Sequence, residues 1–321
     1  MDAPGIMSCI AQKGYALQKI EPHLCDYALD MCVRFHSLSA MDRSSCLVSP
    51  VLGIPGYMPS EHEIESLRCS GIEMPHWIKS LKRPRGYSSF DVVPTACTEL
   101  LGNMPFLDNP KLQACEISTE QYLHVSSRLN EYATFLCESV VAHMQMQFDN
   151  SDYCKFPAAM SSYGLARFLK YSTLGRNLVS KEHTDYELLT IVIADGPGLE
   201  VQTPTGEWIA VEWKPLHSVI IPGDMFEVVS AGTIKATMHR VSVDDSDRHS
   251  VVFFKGPSLN FPIPNGYGGI GLIPRTFREH VFSMQIRSAP HLQDQLDWLS
   301  KHLDVYIPNA NPFRSISSKA Q

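Results

Sequence analysis

From about Tyr163 onward the chain is cut into short β-favouring runs separated by turn residues, and this punctuation narrows the possible folds more than anything else in it. The runs are Leu165 to Tyr171, Leu188 to Ile193, Leu199 to Gln202, Trp208 to Val211, Ser218 to Ile221, Ala236 to Val243 and Ser250 to Phe254. Between them, Asp195-Gly196-Pro197-Gly198, Thr205-Gly206 and Pro222-Gly223-Asp224 carry the Gly, Pro and Asp that turns require. Runs this short are strands rather than helices, because a globular helix needs roughly ten residues to bury a useful stripe. Many such strands, with turns every ten or so residues, predict a mainly β architecture of the sandwich or jelly-roll type.

The preceding residues read differently. Ser118-x-x-Gln121 has the spacing of a capping box, and Tyr122, Val125, Leu129, Tyr132, Leu136, Val140, Met144 and Phe148 then recur at helical spacing. That predicts one long helix whose apolar stripe needs a broad floor, for which a sheet is the natural partner. Nearer the start, Tyr15 to Ile20 reads as a strand, and Leu24, Ala28, Met31, Phe35 and Leu38 mark a helix. Residues 47–115 are rich in Pro, Gly and Ser, which predicts a long irregular connection with small helices near Ile64 and Trp77. Two helices close the chain, from about Arg275 to Gln285 and from about His291 to Leu303. The expected organisation is one structural unit: residues 1–115 form a helical and irregular segment packed on the core, and residues 116–321 form the β core with its supporting helices.

Hydrophobic residues make up 44% of the 321 and charged residues 19%, enough apolar side chain for a sizeable core. A formal net charge of −7 excludes a nucleic-acid binder that works through clustered Lys and Arg, and the basic run Lys79 to Arg85 reads as a solvated loop. Nine cysteines, with no Cys-x-x-Cys pair, predict reduced thiols rather than a disulfide framework or zinc ribbon. With no apolar stretch of membrane-spanning length and no export signal at the start, the expected location is the cytoplasm.

Chemistry concentrates in Glu182-His183-Thr184-Asp185 and Thr237-Met238-His239-Arg240-Val241. Side chains two apart on an extended chain point the same way, so His183 and Asp185 can offer an imidazole nitrogen and a carboxylate oxygen to one ion. His239, 54 residues beyond Asp185, can supply a third ligand from a later strand. Two histidines and a carboxylate on one side of a cation leave the opposite positions open, which suits non-haem Fe(II). His217 and His249 are rival ligands on type alone. Arg248 and Ser250 are also two apart. A guanidinium that grips a carboxylate through two parallel hydrogen bonds, backed by a hydroxyl, suits the far end of a dicarboxylic keto acid.

Phe168 to Tyr171, His183-Thr-Asp185-Tyr-Glu-Leu-Leu-Thr190, Gly198 to Val201, Gly206-Glu-Trp208, Gly223-Asp224, His239-Arg-Val241, Arg248-x-Ser250 and Phe253-Phe254 follow in that order. In these segments the sequence resembles the iron- and 2-oxoglutarate-dependent dioxygenases of the isopenicillin N synthase-like superfamily. The resemblance implies a double-stranded β-helix, or distorted jelly roll, flanked by helices. It also implies Fe(II) on His183, Asp185 and His239, with no catalytic side chain beyond these ligands. Further, it places 2-oxoglutarate on Arg248 and Ser250 with Tyr171 beside it, and makes O2 the oxidant, with ascorbate as a reductant in vitro. The implied reaction oxidises an unactivated C–H bond of a small-molecule metabolite by hydroxylation, desaturation or ring formation, in specialised biosynthesis. The family pattern is broken by Ser172 where a proline usually stands, by Ile221 where an Asn precedes the Gly-Asp turn, and by Ala231. Val241, Phe254 and Tyr57 are the residues expected to wall the substrate pocket. Two other functions fit the same pattern: an iron oxidase that dispenses with 2-oxoglutarate, and a jelly-roll binding module without catalysis.

Overall fold

The computed structural model describes residues 2–47, 55–72, 86–95, 97, 113–114, 117–147, 163–172, 178–230, 232–243, 247–263 and 276–288. The helices expected near Trp77 and from His291, the basic run, and Ala231 lie outside these residues.

Thirteen described strands form the sheets, and their order explains the placing of the site. The larger sheet contains β1 (Ala16–Lys19), β2 (Gly56–Met58), β3 (Tyr87–Val92), β6 (Tyr163–Tyr171), β8 (Leu189–Ala194), β11 (His217–Pro222) and β13 (Arg248–Gly256). They lie in the order β1-β11-β8-β13-β6-β3-β2, every pair antiparallel. A four-stranded antiparallel sheet, in the order β10-β9-β12-β7, holds β7 (Leu178–His183), β9 (Leu199–Gln202), β10 (Trp208–Ala210) and β12 (His239–Ser242). The short pair β4 (Gln113–Ala114) and β5 (Ile117–Ser118) stands apart. The result is a double-stranded β-helix with flanking helices.

Register separates the two faces of the larger sheet. Arg248, Ser250, Val252 and Phe254 on β13 lie opposite Tyr171, Leu169, Arg167 and Leu165 on β6, and the last three of them opposite Ala194, Val192 and Thr190 on β8. Tyr87, Ser89 and Asp91 on β3 extend this face, which turns toward the smaller sheet. The alternate residues, among them Phe90 and Phe168, turn to the helices. There Phe35, from the helix Pro22–Ser37, stacks on Phe90 at 4.0 Å. Tyr122, from the long helix Thr119–Gln147, meets Phe90 and Phe168 edge-on at 5.1 Å each. Burial of each of these rings stabilises the fold by roughly 2–3 kcal/mol. The helical stripes read from the sequence are the ones that bury: Leu24, Ala28, Met31 and Phe35 in one helix, Tyr122, Val125, Leu129, Leu136, Val140 and Met144 in the other.

Residues 55–72 and 86–95 are more regular than their composition predicts. They supply β2, β3 and the helix Glu61–Cys69, which Ser60 and Glu63 open with a reciprocal capping box. Two consequences follow for the sequence reading. The N-terminal part of the chain does not only pack on the sheet; β1 and β2 are its two edge strands. Tyr57, expected to close over the site, instead shares the helix-covered face with Phe90, its ring fully buried and 5.4 Å from Phe35. Strand alternation decides this: its neighbours Gly56 and Met58 take the other face.

Candidate metal centre

His183 ends β7 and His239 begins β12, and the register places them directly opposite each other. Their rings come within 4.3 Å, centroid to centroid. Asp185, two residues past the end of β7, turns its carboxylate back between them: Oδ1 lies 3.7 Å from His183 Nε2 and Oδ2 lies 3.5 Å from His239 Nε2. One ligand atom from each residue falls within 4.8 Å of the other two. Such a cluster can close on a single ion with little movement.

Both imidazoles are oriented for coordination. His183 Nδ1 lies 2.7 Å from the Lys181 carbonyl and His239 Nδ1 lies 3.1 Å from the Thr237 carbonyl. A carbonyl can only accept, so each Nδ1 carries the proton and each Nε2 keeps its lone pair for the cluster. Desolvation on its packed side, and then the neighbouring His239, hold the His183 imidazole below its ordinary value, which favours the neutral ring that can ligate. Asp185 and His239 are buried while the His183 side chain is 43% exposed, so the centre opens on the His183 side.

Thr190 on β8 donates its hydroxyl to Asp185 Oδ2 at 2.5 Å, tying the loop ligand to the larger sheet. The turn after β11 clamps the same loop from beneath. Gly223 N donates to the Leu188 carbonyl, Asp224 N to that of Asp185 and Met225 N to that of Glu187. The approach is so close that a Cβ on Gly223 would sit 2.3 Å from the Glu187 oxygen and 3.1 Å from that of Asp185. Glu187 is buried beside this loop, and its carboxyl is pushed up to about 8 by burial first and by Asp185 second.

Arg248 opens β13 on the interior face. Its guanidinium lies 5.1 Å over the Tyr171 ring, and its Nε donates to the Gly196 carbonyl at 3.2 Å. The turn Asp195 to Gly198 wraps it, and Gly198 adopts φ +121°, where a Cβ would strike the Ser242 carbonyl at 2.3 Å. A cavity of about 470 Å³ opens on the outer side of this turn, bounded by Gly198, Glu200, Ser242, Asp247 and Arg248 and by none of the three cluster residues. Arg248 Nη1 and Ser250 Oγ are both buried with no well-formed protein hydrogen bond, and the Tyr171 hydroxyl stands beside Ser250. Leaving such donors unmatched costs about 1–3 kcal/mol each, so a folded protein keeps them for a ligand or a water. Two adjacent donors, one cationic, on the face that also holds the His-Asp-His cluster fit a carboxylate that reaches toward a metal.

The rival histidines stand elsewhere. His217 Nδ1 meets the Pro215 carbonyl at 2.9 Å on β11, and His249 turns to the opposite face, where it pairs with Asp195 at 3.0 Å. Among the described residues, the three that gather as a metal-binding group are His183, Asp185 and His239. Val241 and Phe254 are buried on the interior face, the first two residues past His239 and the second opposite Thr190. Ser172 explains one departure from the family pattern, because its amide donates to the Gly86 carbonyl at 3.1 Å and a proline has no such proton. The ion pair between Arg167 and Asp91 on the same face is absent from the sequence reading.

Residues 165–257 match the model of the 2OG-Fe(II) oxygenase superfamily. The match spans 93 of the 321 residues, and over that segment the chain is similar to the superfamily. The 2-oxoglutarate-dependent dioxygenase citB of Monascus ruber is 41% identical over 90 residues, which cover 27% of this chain and 27% of that one. Clavatol oxidase claD of Penicillium crustosum is 29% identical over 148 residues, 45% of this chain and 44% of that one. The chain therefore matches less than half the length of these curated relatives. The likeness in fold extends further than the sequence similarity. The crystal structure of a full-length Neurospora crassa protein in complex with alpha-KG superposes with a TM-score of 0.62 at 18% identity, covering 81% of this chain and 80% of that one.

Proposed function

We propose that this chain is a non-haem iron oxygenase that binds Fe(II) through His183, Asp185 and His239 and anchors 2-oxoglutarate through Arg248 and Ser250. The observation that carries the reading is the pairing of two things on one interior face. One is a three-ligand cluster within 4.8 Å; the other is a buried guanidinium and hydroxyl with donors unspent. Bound together, Fe(II) and 2-oxoglutarate supply the oxidising power for cleaving a C–H bond with O2.

What the protein contributes is placement. His183, Asp185 and His239 would hold the ion, leaving it able to take the keto acid as well. Arg248, held by Gly196 and stacked on Tyr171, would grip the distal carboxylate together with Ser250 and so orient the keto acid. Thr190 keeps Asp185 in its coordinating rotamer. Apolar residues Val241, Val252 and Phe254 exclude water from the same space.

A small-molecule substrate fits this enclosed interior and the names of the relatives, which include a clavatol oxidase and a gibberellin 3-beta-dioxygenase. Oxidation of a metabolite in specialised biosynthesis, in the cytoplasm, is the corresponding assignment. Among the described residues no helix is long and apolar enough to cross a membrane. The test is anaerobic addition of Fe(II) to the protein with 2-oxoglutarate. A visible charge-transfer band that Arg248→Met weakens and Asp185→Ala abolishes is expected, and absence of the band in the unaltered protein refutes the proposal. With O2 admitted, succinate formed in step with O2 consumed excludes an oxidase that needs no keto acid.

A further inference from the structure

Strand β8 ends in the larger sheet at Ala194 and β9 begins in the smaller one at Leu199, so the turn Asp195 to Gly198 crosses between the sheets beside Arg248. The turn meets that side chain at two points. The Gly196 carbonyl accepts from Arg248 Nε at 3.2 Å, and a Cβ placed on Gly198 would stand 3.5 Å from Arg248 Cδ. With the Tyr171 ring against its face, the guanidinium is held by backbone on one side and by an aromatic ring on another.

What fixes the turn lies on the other face of the sheet, where strand alternation turns His249 away from Arg248 and Ser250. Asp195 joins His249 through three hydrogen bonds: Oδ1 accepts from the His249 backbone N at 2.9 Å, Oδ2 accepts from His249 Nδ1 at 3.0 Å, and Asp195 N donates to the His249 carbonyl at 3.1 Å. Partial burial would raise the Asp195 carboxyl, but the hydrogen bonds from His249 outweigh it and hold the group below its ordinary value. The His249 side chain is largely buried, its ring 6.2 Å from that of His36. His36 is itself committed, with Nε2 at 3.2 Å from the Phe168 carbonyl and Nδ1 at 3.2 Å from the Ser88 hydroxyl. The pair therefore rests on a packed floor. Asp195 adjoins Gly196 and His249 adjoins Arg248, so the same two chain segments are fastened twice: by side chains on the helix-covered face, and by the bond from Arg248 to the Gly196 carbonyl on the interior one.

We propose that Asp195 and His249 are positioning residues for the keto-acid anchor: their pair keeps the Gly196 carbonyl on Arg248 and so sets the plane in which the guanidinium meets the distal carboxylate. This rests on the proposed function and adds to it two residues that act through Arg248. A guanidinium binds a carboxylate best through two parallel hydrogen bonds, and it loses one of them when its plane swings. A long side chain free to swing must also be ordered at the moment of binding, which weakens the complex. The pair removes both costs beforehand. Its loss has a distinctive signature, because it weakens only those ligands that carry a carboxylate for Arg248 to grip.

The experiment compares 2-oxoglutarate with 2-oxopentanoate, which has the same keto-acid end and chain length but a methyl in place of the distal carboxylate. The ratio of their dissociation constants, titrated with Fe(II) under nitrogen, isolates what the anchor contributes. The unaltered protein should favour 2-oxoglutarate. Asp195→Ala should cut that preference by about tenfold, the scale of a lost charge-assisted hydrogen bond, and leave 2-oxopentanoate binding and circular dichroism unchanged. His249→Leu should do the same, whereas His249→Asn, whose amide can donate from near the Nδ1 position, should restore the preference. Combined with Arg248→Met, Asp195→Ala should have no further effect on either keto acid. A second arm needs neither metal nor keto acid: phenylglyoxal modification of Arg248, 4% exposed, is followed by peptide mass spectrometry and should be faster in Asp195→Ala than in the unaltered protein. A ratio near one in the unaltered protein overturns the proposed function together with this inference. A clear preference for 2-oxoglutarate overturns this inference alone if Asp195→Ala leaves it unchanged or weakens both keto acids equally. It is also overturned if His249→Asn behaves like His249→Leu, or if Arg248 is modified at the same rate with and without Asp195.

Discussion

At the scale of single residues, the metal centre depends on side chains that never touch the ion. Thr190 is the clearest case, because its hydroxyl supplies the hydrogen bond that keeps Asp185 turned inward. Thr190→Val preserves shape and burial but deletes the donor, and outer partners of this kind typically govern metal affinity by 10–100-fold. Fe(II) affinity in an anaerobic titration should fall by about that factor, with the circular dichroism unchanged, and Thr190→Ser should restore it. Glu187 gives a pH-dependent counterpart in the metal-free protein. Its carboxyl rises from an ordinary 4.5 to about 8, so the native state keeps a proton that the unfolded chain releases. Stability contributed in this way is present at pH 4.5 and is lost as pH climbs to about 8, with a slope of up to about 1.4 kcal/mol per pH unit. Urea midpoints should show a shallower decline over that window for Glu187→Gln than for the unaltered protein. Equal slopes would mean that Glu187 is ionised in the native state.

At the scale of elements, what the sequence made legible depends on whether a strand has one apolar face or two mixed ones. The turn-bounded runs around Leu199 to Gln202 and Leu165 to Tyr171 were readable because their alternation and turns agree, and both are strands at nearly the expected bounds. Strand β3 was hidden, since Ser88, Ser89 and Asp91 break the hydrophobic pattern although all three are buried. Their partners lie far off in the chain: His36 Nδ1 meets the Ser88 hydroxyl and Arg167 grips Asp91. Strand β7 was hidden too, by its Ser-Lys-Glu stretch before His183. The ligands themselves were legible because spacing of two on a strand is a local property. Arg167 was not, because the carboxylate that gives it meaning is 76 residues away. The Gly223 turn joins these levels, as it packs backbone against backbone under the metal loop. Gly223→Ala cannot keep that approach, and its φ of −100° shows that space rather than dihedral is the constraint. Fe(II) binding should be lost or reduced more than tenfold, and thermal stability should fall as well. Retention of both would show that the loop and turn can separate without cost.

At the scale of the whole molecule, the site is a joint between the two sheets. His183 and His239 belong to the four-stranded sheet, and Asp185 is tied through Thr190 to the seven-stranded one. An ion held by all three would resist separation of the sheets, and 2-oxoglutarate held by Arg248, as proposed, would add a second strut. Because the unfolded chain has no such site, occupancy stabilises the native state by RT ln(1 + [L]/Kd), about 2.7 kcal/mol when the ligand stands at 100 times its Kd. At roughly 2 °C per kcal/mol for a chain of this size, Fe(II) with 2-oxoglutarate should raise the melting temperature by about 5 °C, and a chelator should reverse the rise. The aromatic cluster on the opposite face provides the control. Phe35→Ala removes a ring stacked on Phe90 and should lower stability by about 3–5 kcal/mol with and without ligands alike, leaving the increment intact. Asp185→Ala should abolish the increment, whereas Arg248→Met should keep the part due to metal and lose the part due to the keto acid. If Phe35→Ala shrinks the increment as much as Asp185→Ala does, the two faces of the sheet are not independent and the site is not a local joint.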